Sequence, residues 1–392
     1  MLMSPMPYYH TWSLIFRMSV GQSDVDGAVR SRFAVRDAYL LPDGEYEYRV
    51  EYGPGSKDKF VDLKKALAPL GLTPWLGGRE EDCVLRVKKT VSSGQKPSRV
   101  SVLVALLTFL VIIVFSYLEV QGDQQLASAV PWYAAFFGFG VSVVVLLVAR
   151  LLAHRYAARR FSVEPNSSYL LPGLPGITAS LPTLGFISYQ REPAPNRDSY
   201  FDLMIVGPLA LLAVSIVLQV LGDLTAVQSS VVLTSCQSVN SFVQVCPANP
   251  SVIQLGLDYL LSPLLPAVAA GHGLVSPLGD GATVGLLLVF VAMLPMASFD
   301  GGQISNALWS TGRARVATYL SVVALLVLDT NELLYWGVAI AVLLVGGRPL
   351  KISFMDDISK VSRRRVYIYL GLLLIAFLAV PIPHDIATIP LA

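Results

Sequence analysis

Seven apolar runs punctuate this chain, at 100–120, 131–154, 201–222, 279–298, 315–329, 332–346 and 366–380. At about 1.5 Å per residue the longer ones match the hydrocarbon thickness of a bilayer. A segment in lipid must satisfy its backbone polar groups internally, so such runs can only be helices. Of the 392 residues 54% are hydrophobic and 14% charged, well below the roughly one-quarter charged content of soluble domains. The expected fold class is an α-helical polytopic membrane protein of about seven spans. The stretch 253–271 stays open between a re-entrant and an interfacial helix, because Pro263 and Pro266 interrupt it.

Basic residues orient the map. With the N-terminus in the cytoplasm and seven crossings, the external pieces are 121–130, 223–278, 330–331 and 381–392. None contains Lys or Arg. The reading is a multi-pass protein of the cell membrane with a cytoplasmic N-terminus and an external C-terminus. The first twenty residues carry Tyr8, Tyr9, His10 and Arg17 without a continuous apolar core, which does not read as a cleavable signal. "SRRR" (362–365) beside a span reads as a topology and anionic-lipid signal.

The polar N-terminal portion, 1–97, reads as a small α+β soluble domain, and 98–392 as the membrane domain. "EYEYRVEY" (45–52) and "CVLRVKK" (83–89) alternate like strands. Between them Phe60, Leu63, Leu67 and Leu70 recur at helical spacing up to Gly71. "TVSSGQKPSR" (90–99) reads as a linker. Cys236 and Cys246 share the predicted external loop, where they are either a disulfide or two free thiols.

Three stretches could carry chemistry. In "AMLPMASFDGGQISNALW" (292–309) an apolar span meets a proline, then Asp300-Gly301-Gly302. Asp300 is either a helix cap or an intramembrane carboxylate facing the bundle interior. In "GFISYQREPAPNRDSYFDLMIVGPLALLAV" (185–214) a polar stretch leads through Asp202 into a span holding Gly207-Pro208, either a distortion or a place of close packing. In "VLLVARLLAHRYAARRFSVEPNSSYLLP" (145–172) Arg150 and His154 lie at i and i+4 on one helical face.

Together these motifs resemble the site-2 protease family of intramembrane zinc metalloproteases, over roughly residues 100–383. "YFDLMIVGPLA" is similar to the family's Phe-Asp-Ile-x-x-Ala-Gly-Pro element. "AMLPMASFDGGQ" is similar to its Asn-x-x-Pro-x-x-x-Leu-Asp-Gly-Gly element, which places Asp300 on the third zinc ligand. The domain at 1–97 resembles the N-terminal extension of some archaeal and plastid relatives. "YAARRFSVEPNSSYLLP" resembles the flank that follows the first catalytic motif, so His-Glu-x-x-His falls on Arg150-Leu151-Leu152-Ala153-His154. Arginine stands where the first histidine would be, leucine (Leu151) where the glutamate would be, and Ala292 where the family has asparagine.

Zinc hydrolysis wants three protein ligands and a carboxylate base. With only His154 and Asp300 at ligand positions, the expectation is a homologue without catalytic activity and without zinc or another cofactor. It would bind other integral membrane proteins or transmembrane segments as chaperone, regulator or accessory subunit. The alternative is an active zinc endopeptidase with a displaced ligand set. No nucleic-acid partner is expected; the bilayer is. Arg150 is expected either to pair with Asp300 or to snorkel to the interface. A lone arginine at mid-helix costs about 2.5–3.5 kcal/mol on insertion scales, which favours a partner.

Overall fold

The computed structural model describes residues 20–90, 99–122, 124–161, 163, 167–173, 181–228, 237–240, 243–245, 250–264, 274–296, 299–309, 311–328 and 352–381. The chain divides into two compact units, Met1–Thr90 and Val91–Ala392.

In the first unit a four-stranded antiparallel sheet carries two helices. The elements are α1 (Val20–Arg30), β1 (Val35–Leu40), β2 (Tyr46–Val50), α2 (Ser56–Leu67), β3 (Leu72–Arg79) and β4 (Asp82–Lys89), with strand order β1-β2-β4-β3. Alternation on β4 turns Cys83, Leu85 and Val87 inward. The helical stripe Phe60, Leu63 and Leu67 is fully buried, with Val25 and Val29 of α1 also in the core. Gly71 ends the helical stretch in a left-handed conformation, φ 66°. Sequence periodicity missed α1, β1 and β3. β1 is exposed nearly throughout, and β3 contains Pro74, Gly77 and Gly78, so neither shows clean alternation.

Tyr48 is buried in this unit, and burial together with the Asp26 carboxylate pushes its phenol up to about 12. Phe60→Ala should destabilise the unit by about 3–5 kcal/mol. The check is hydrogen exchange of α2 and β4 in the full chain, where protection should fall.

The second unit is predominantly helical. α3 (Arg99–Gly122) and α4 (Gln124–Ala129) precede α5 (Trp132–Arg160), and a hairpin of β5 (Ser167–Pro172) and β6 (Thr183–Tyr189) follows. Then come α6 (Arg197–Thr225), α7 (Val252–Leu261), α8 (Pro277–Met293), α9 (Asp300–Leu308), α10 (Thr311–Leu328) and α11 (Arg363–Leu378). Among the described residues three helices are long and apolar enough to cross a membrane: α3, α5 and α6. The predicted run at 332–346 lies outside the described residues. The predicted run 279–298 ends early as a helix, at Met293, because Pro295 follows.

α8 is buried on every side from Val284 to Met293, so it is the central helix, packed between α5 and α6. α6 starts with Asn196 accepting a hydrogen bond from the Ser199 amide, 2.7 Å. α7 is an apolar helix too short to span. Gln254 donates to Gln219 Oε1 at 2.9 Å and to Thr283 Oγ1 at 2.8 Å. These bonds tie the start of α7 to α6 and α8.

Candidate functional site

The break between α8 and α9 delivers a carboxylate into the bundle. Asp300 opens α9, yet its side chain does not cap that helix. Both carboxylate oxygens accept from Arg150 Nη2 instead, at 2.7 and 2.6 Å. Arg150 is 1% exposed and Asp300 1% exposed, so the guanidinium does not reach the interface. Of the two roles open to each residue from sequence, the structure shows Arg150 paired with Asp300 and Asp300 facing the interior.

Gly207 makes room for this contact. A Cβ there would lie 3.3 Å from Arg150 Cγ and Nε and 3.4 Å from Asp300 Oδ2. The Gly-Pro pair inside α6 is thus a place of close packing. From the hairpin, the Phe186 ring lies under the guanidinium, 4.2 Å from Cζ to ring centroid. Two polar atoms on the same helix face have no hydrogen-bond partner among the described residues: Arg150 Nη1 and His154 Nε2. Leu151 is half-buried against the core, and Ala292 lies buried on α8.

Sequence reasoning missed the residues that hold this centre. Tyr200 donates to Gln303 Oε1, and Gln303 Nε2 donates to the Ser188 carbonyl at 2.6 Å, tying α6, α9 and β6 together. Gly301 packs on the broken end of α8: a Cβ there would meet Met293 O at 2.1 Å and Leu294 O at 2.5 Å. Tyr369 of α11 reaches the same turn, with its hydroxyl 3.1 Å from Gly301 O, 3.3 Å from Met293 O and 3.0 Å from Ser305 Oγ. One turn earlier Arg365 grips the start of α6. It donates to Asp202 Oδ1 and Oδ2 at 2.8 and 2.6 Å, and Nη1 lies 3.0 Å from Asp198. Arg365 therefore has carboxylate partners within the bundle, beyond the topology and lipid roles read from "SRRR". The i, i+4 spacing of 365 and 369 was the available signal. Cys236, Cys246 and His10 lie outside the described residues.

Residues 138–328, just under half of the chain, match the model described as peptidase family M50. Over those residues the chain resembles the M50 peptidase family. A rice protein (Oryza sativa subsp. indica) named "Probable zinc metalloprotease EGY3, chloroplastic" is 25% identical over 258 residues, covering 62% of this chain and 40% of the relative. "Probable zinc metalloprotease EGY1, chloroplastic" of Arabidopsis thaliana is 25% identical over 269 residues, covering 66% and 45%. The chain thus matches less than half the length of these relatives. No solved structure matches it.

These comparisons correct three expectations. A match to a peptidase family, and relatives named zinc metalloproteases, point to a peptidase rather than a homologue without activity. They equally point away from a pure binding role and away from the absence of zinc. The geometry at this place is nonetheless a paired one. Both Asp300 oxygens are engaged by Arg150, and among the described residues no three His, Cys, Asp or Glu side chains come together. In this arrangement the described side chains do not fit a zinc ion. A metal-bound state at this place requires Arg150 to release Asp300.

Gly207→Val should crowd the paired Arg150 and Asp300 side chains. The expected loss is about 1–3 kcal/mol of stability, the usual cost of overpacking. Thermal unfolding of the detergent-solubilised protein checks it.

Proposed function

We propose that this M50 protein is an intramembrane zinc endopeptidase that cleaves transmembrane segments of other membrane proteins, with a ligand set displaced from the family pattern. The observation that carries the reading is the family match over residues 138–328. The relatives' printed names, zinc metalloproteases, support it. A polar centre inside an apolar bundle also supports it, since ionisable groups at membrane depth are costly and mark functional sites. His154 and Asp300 are the chain's own residues at ligand positions. In this reading Arg150 Nη1, a buried donor with no partner among the described residues, donates to a peptide carbonyl brought into the break between α8 and α9.

The chain crosses the membrane about seven times in this reading, with a cytoplasmic N-terminus, an external C-terminus and the N-terminal unit as a docking module. The absence of Lys and Arg from 121–130, 223–278, 330–331 and 381–392 supports that orientation.

The test is cleavage of a membrane-spanning peptide carrying a fluorophore and a quencher, in proteoliposomes. The expected result is cleavage that a zinc chelator stops and that Asp300→Ala abolishes. An intact peptide, with purified protein that retains no zinc, contradicts the reading.

A further inference from the structure

α7 turns its polar residues toward the protein and its apolar residues away from it. Ser251, Gln254 and Asp258 recur at i, i+3 and i+7, and Asp258 is the one charged residue from 250 to 264. Ser251 and Gln254 are buried and close a capping box on each other. The Ser251 amide donates to Gln254 Oε1 at 2.9 Å, and the Gln254 amide donates to Ser251 Oγ at 3.2 Å. The Gln254 side chain then donates to Gln219 on α6 and Thr283 on α8. The outward stripe is Val252, Leu255, Tyr259 and Leu260, with Leu264 just past the helix. These five side chains are between 45% and 79% exposed. A helix of a water-facing surface has the opposite arrangement, polar out and apolar in.

The surroundings say what meets this stripe. Gln219 lies about 33 Å along α6 from its start at Arg197, close to the hydrocarbon thickness of about 30 Å. α7 is therefore fastened near one edge of the apolar slab, and the ion pairs of Arg365 with Asp198 and Asp202 mark the other. Its ten residues are about 15 Å long, half that thickness. The elements at its anchors also turn apolar side chains out. α6 does so with Val217, Leu221 and Leu224 around Gln219. The end of α11 does so with Leu374 and Phe377, just before Pro381, which bridges to Ser251. The stripe thus continues the face that α6, a span by length and composition, presents to lipid. No Lys or Arg occurs from 198 to 312, so the stripe brings no cation for a headgroup phosphate.

We infer that α7 is an interfacial helix whose outward stripe lies among the acyl chains of a single leaflet, at the end of α6 remote from Arg197. Its partner is lipid. The polar side is already taken up by α6 and α8, so the helix enters the leaflet with its backbone and its amides satisfied by the protein. Of the two forms open for 253–271 from sequence, this is the interfacial one. The surface does not depend on the peptidase reading, nor on which side of the membrane the leaflet faces.

The experiment uses the full chain in lipid nanodiscs with Cys83, Cys236 and Cys246 replaced by Ser. Nitroxide labels go one at a time on Leu255→Cys, Tyr259→Cys and Leu260→Cys. Val217→Cys on α6 and Lys65→Cys in the N-terminal unit, both exposed, are the lipid and water references. Power saturation reads collision with oxygen, which concentrates in lipid, and with a water-soluble nickel chelate. Oxygen should exceed nickel at all three α7 positions, as at Val217, with the reverse at Lys65. Nickel exceeding oxygen on α7 overturns the proposal in favour of a helix in water. Shielding of the α7 labels from both reagents overturns it in favour of a protein partner, a second copy included. The protein without substitutions gives a second reading. A phospholipid carrying a diazirine midway along its acyl chain, photolysed in the same nanodiscs, should label the peptide 252–264 as well as α6. Label on α6 with none on 252–264 contradicts the acyl-chain contact.

Discussion

The buried pair between Arg150 and Asp300 is the constraint around which the membrane unit is arranged. Arginine in an apolar bundle is tolerated only when its charge is met. Here one carboxylate takes Nη2 through both oxygens, and the Phe186 face covers the guanidinium. Bringing these groups together needs three separate elements. α5 supplies the cation, the break after α8 supplies the anion, and α6 withdraws at Gly207 so that both fit. The pair is also why the family's metal chemistry cannot be read directly onto this geometry: the carboxylate at a ligand position already has a partner.

Around the pair, polar contacts fix elements that hydrophobic packing alone would leave free to slide. Dispersion between apolar helices in lipid is not directional, and hydrogen bonds set the register. Tyr200, Gln303 and the Ser188 carbonyl link α6, α9 and the hairpin. Tyr369 holds α11 to the Gly301 turn, and Arg365 holds its start to Asp198 and Asp202. The far end is held by the Gln254 side chain, which donates to Gln219 and Thr283. One end of the bundle is thus fixed by ion pairs and the other by side-chain amides.

Much of this was legible in the sequence. Apolar run length located α3, α5 and α6, and helical periodicity located α2. The motif flanks placed Arg150, His154 and Asp300 in one neighbourhood. What stayed hidden has physical reasons. β3 is interrupted by proline and glycine, and β1 buries too little to alternate. Tyr200, Gln303 and Tyr369 are ordinary residues in apolar surroundings, and their partners lie 64 to 115 positions away. Spacing within one helix cannot reveal such contacts. The expectation of lost activity rested on replaced ligand positions. The comparisons correct it, because family and relatives carry information about the whole unit that a single motif does not.

The most direct measurement is a double-mutant cycle on Arg150→Met and Asp300→Leu, read by reversible unfolding in mild detergent. Each single variant leaves one charge buried alone and should cost about 3–5 kcal/mol. The double variant, with both charges gone, should recover most of that loss, giving a large coupling between the two sites. Losses that simply add would show that the two side chains do not meet, and would contradict the account of how this bundle is organised.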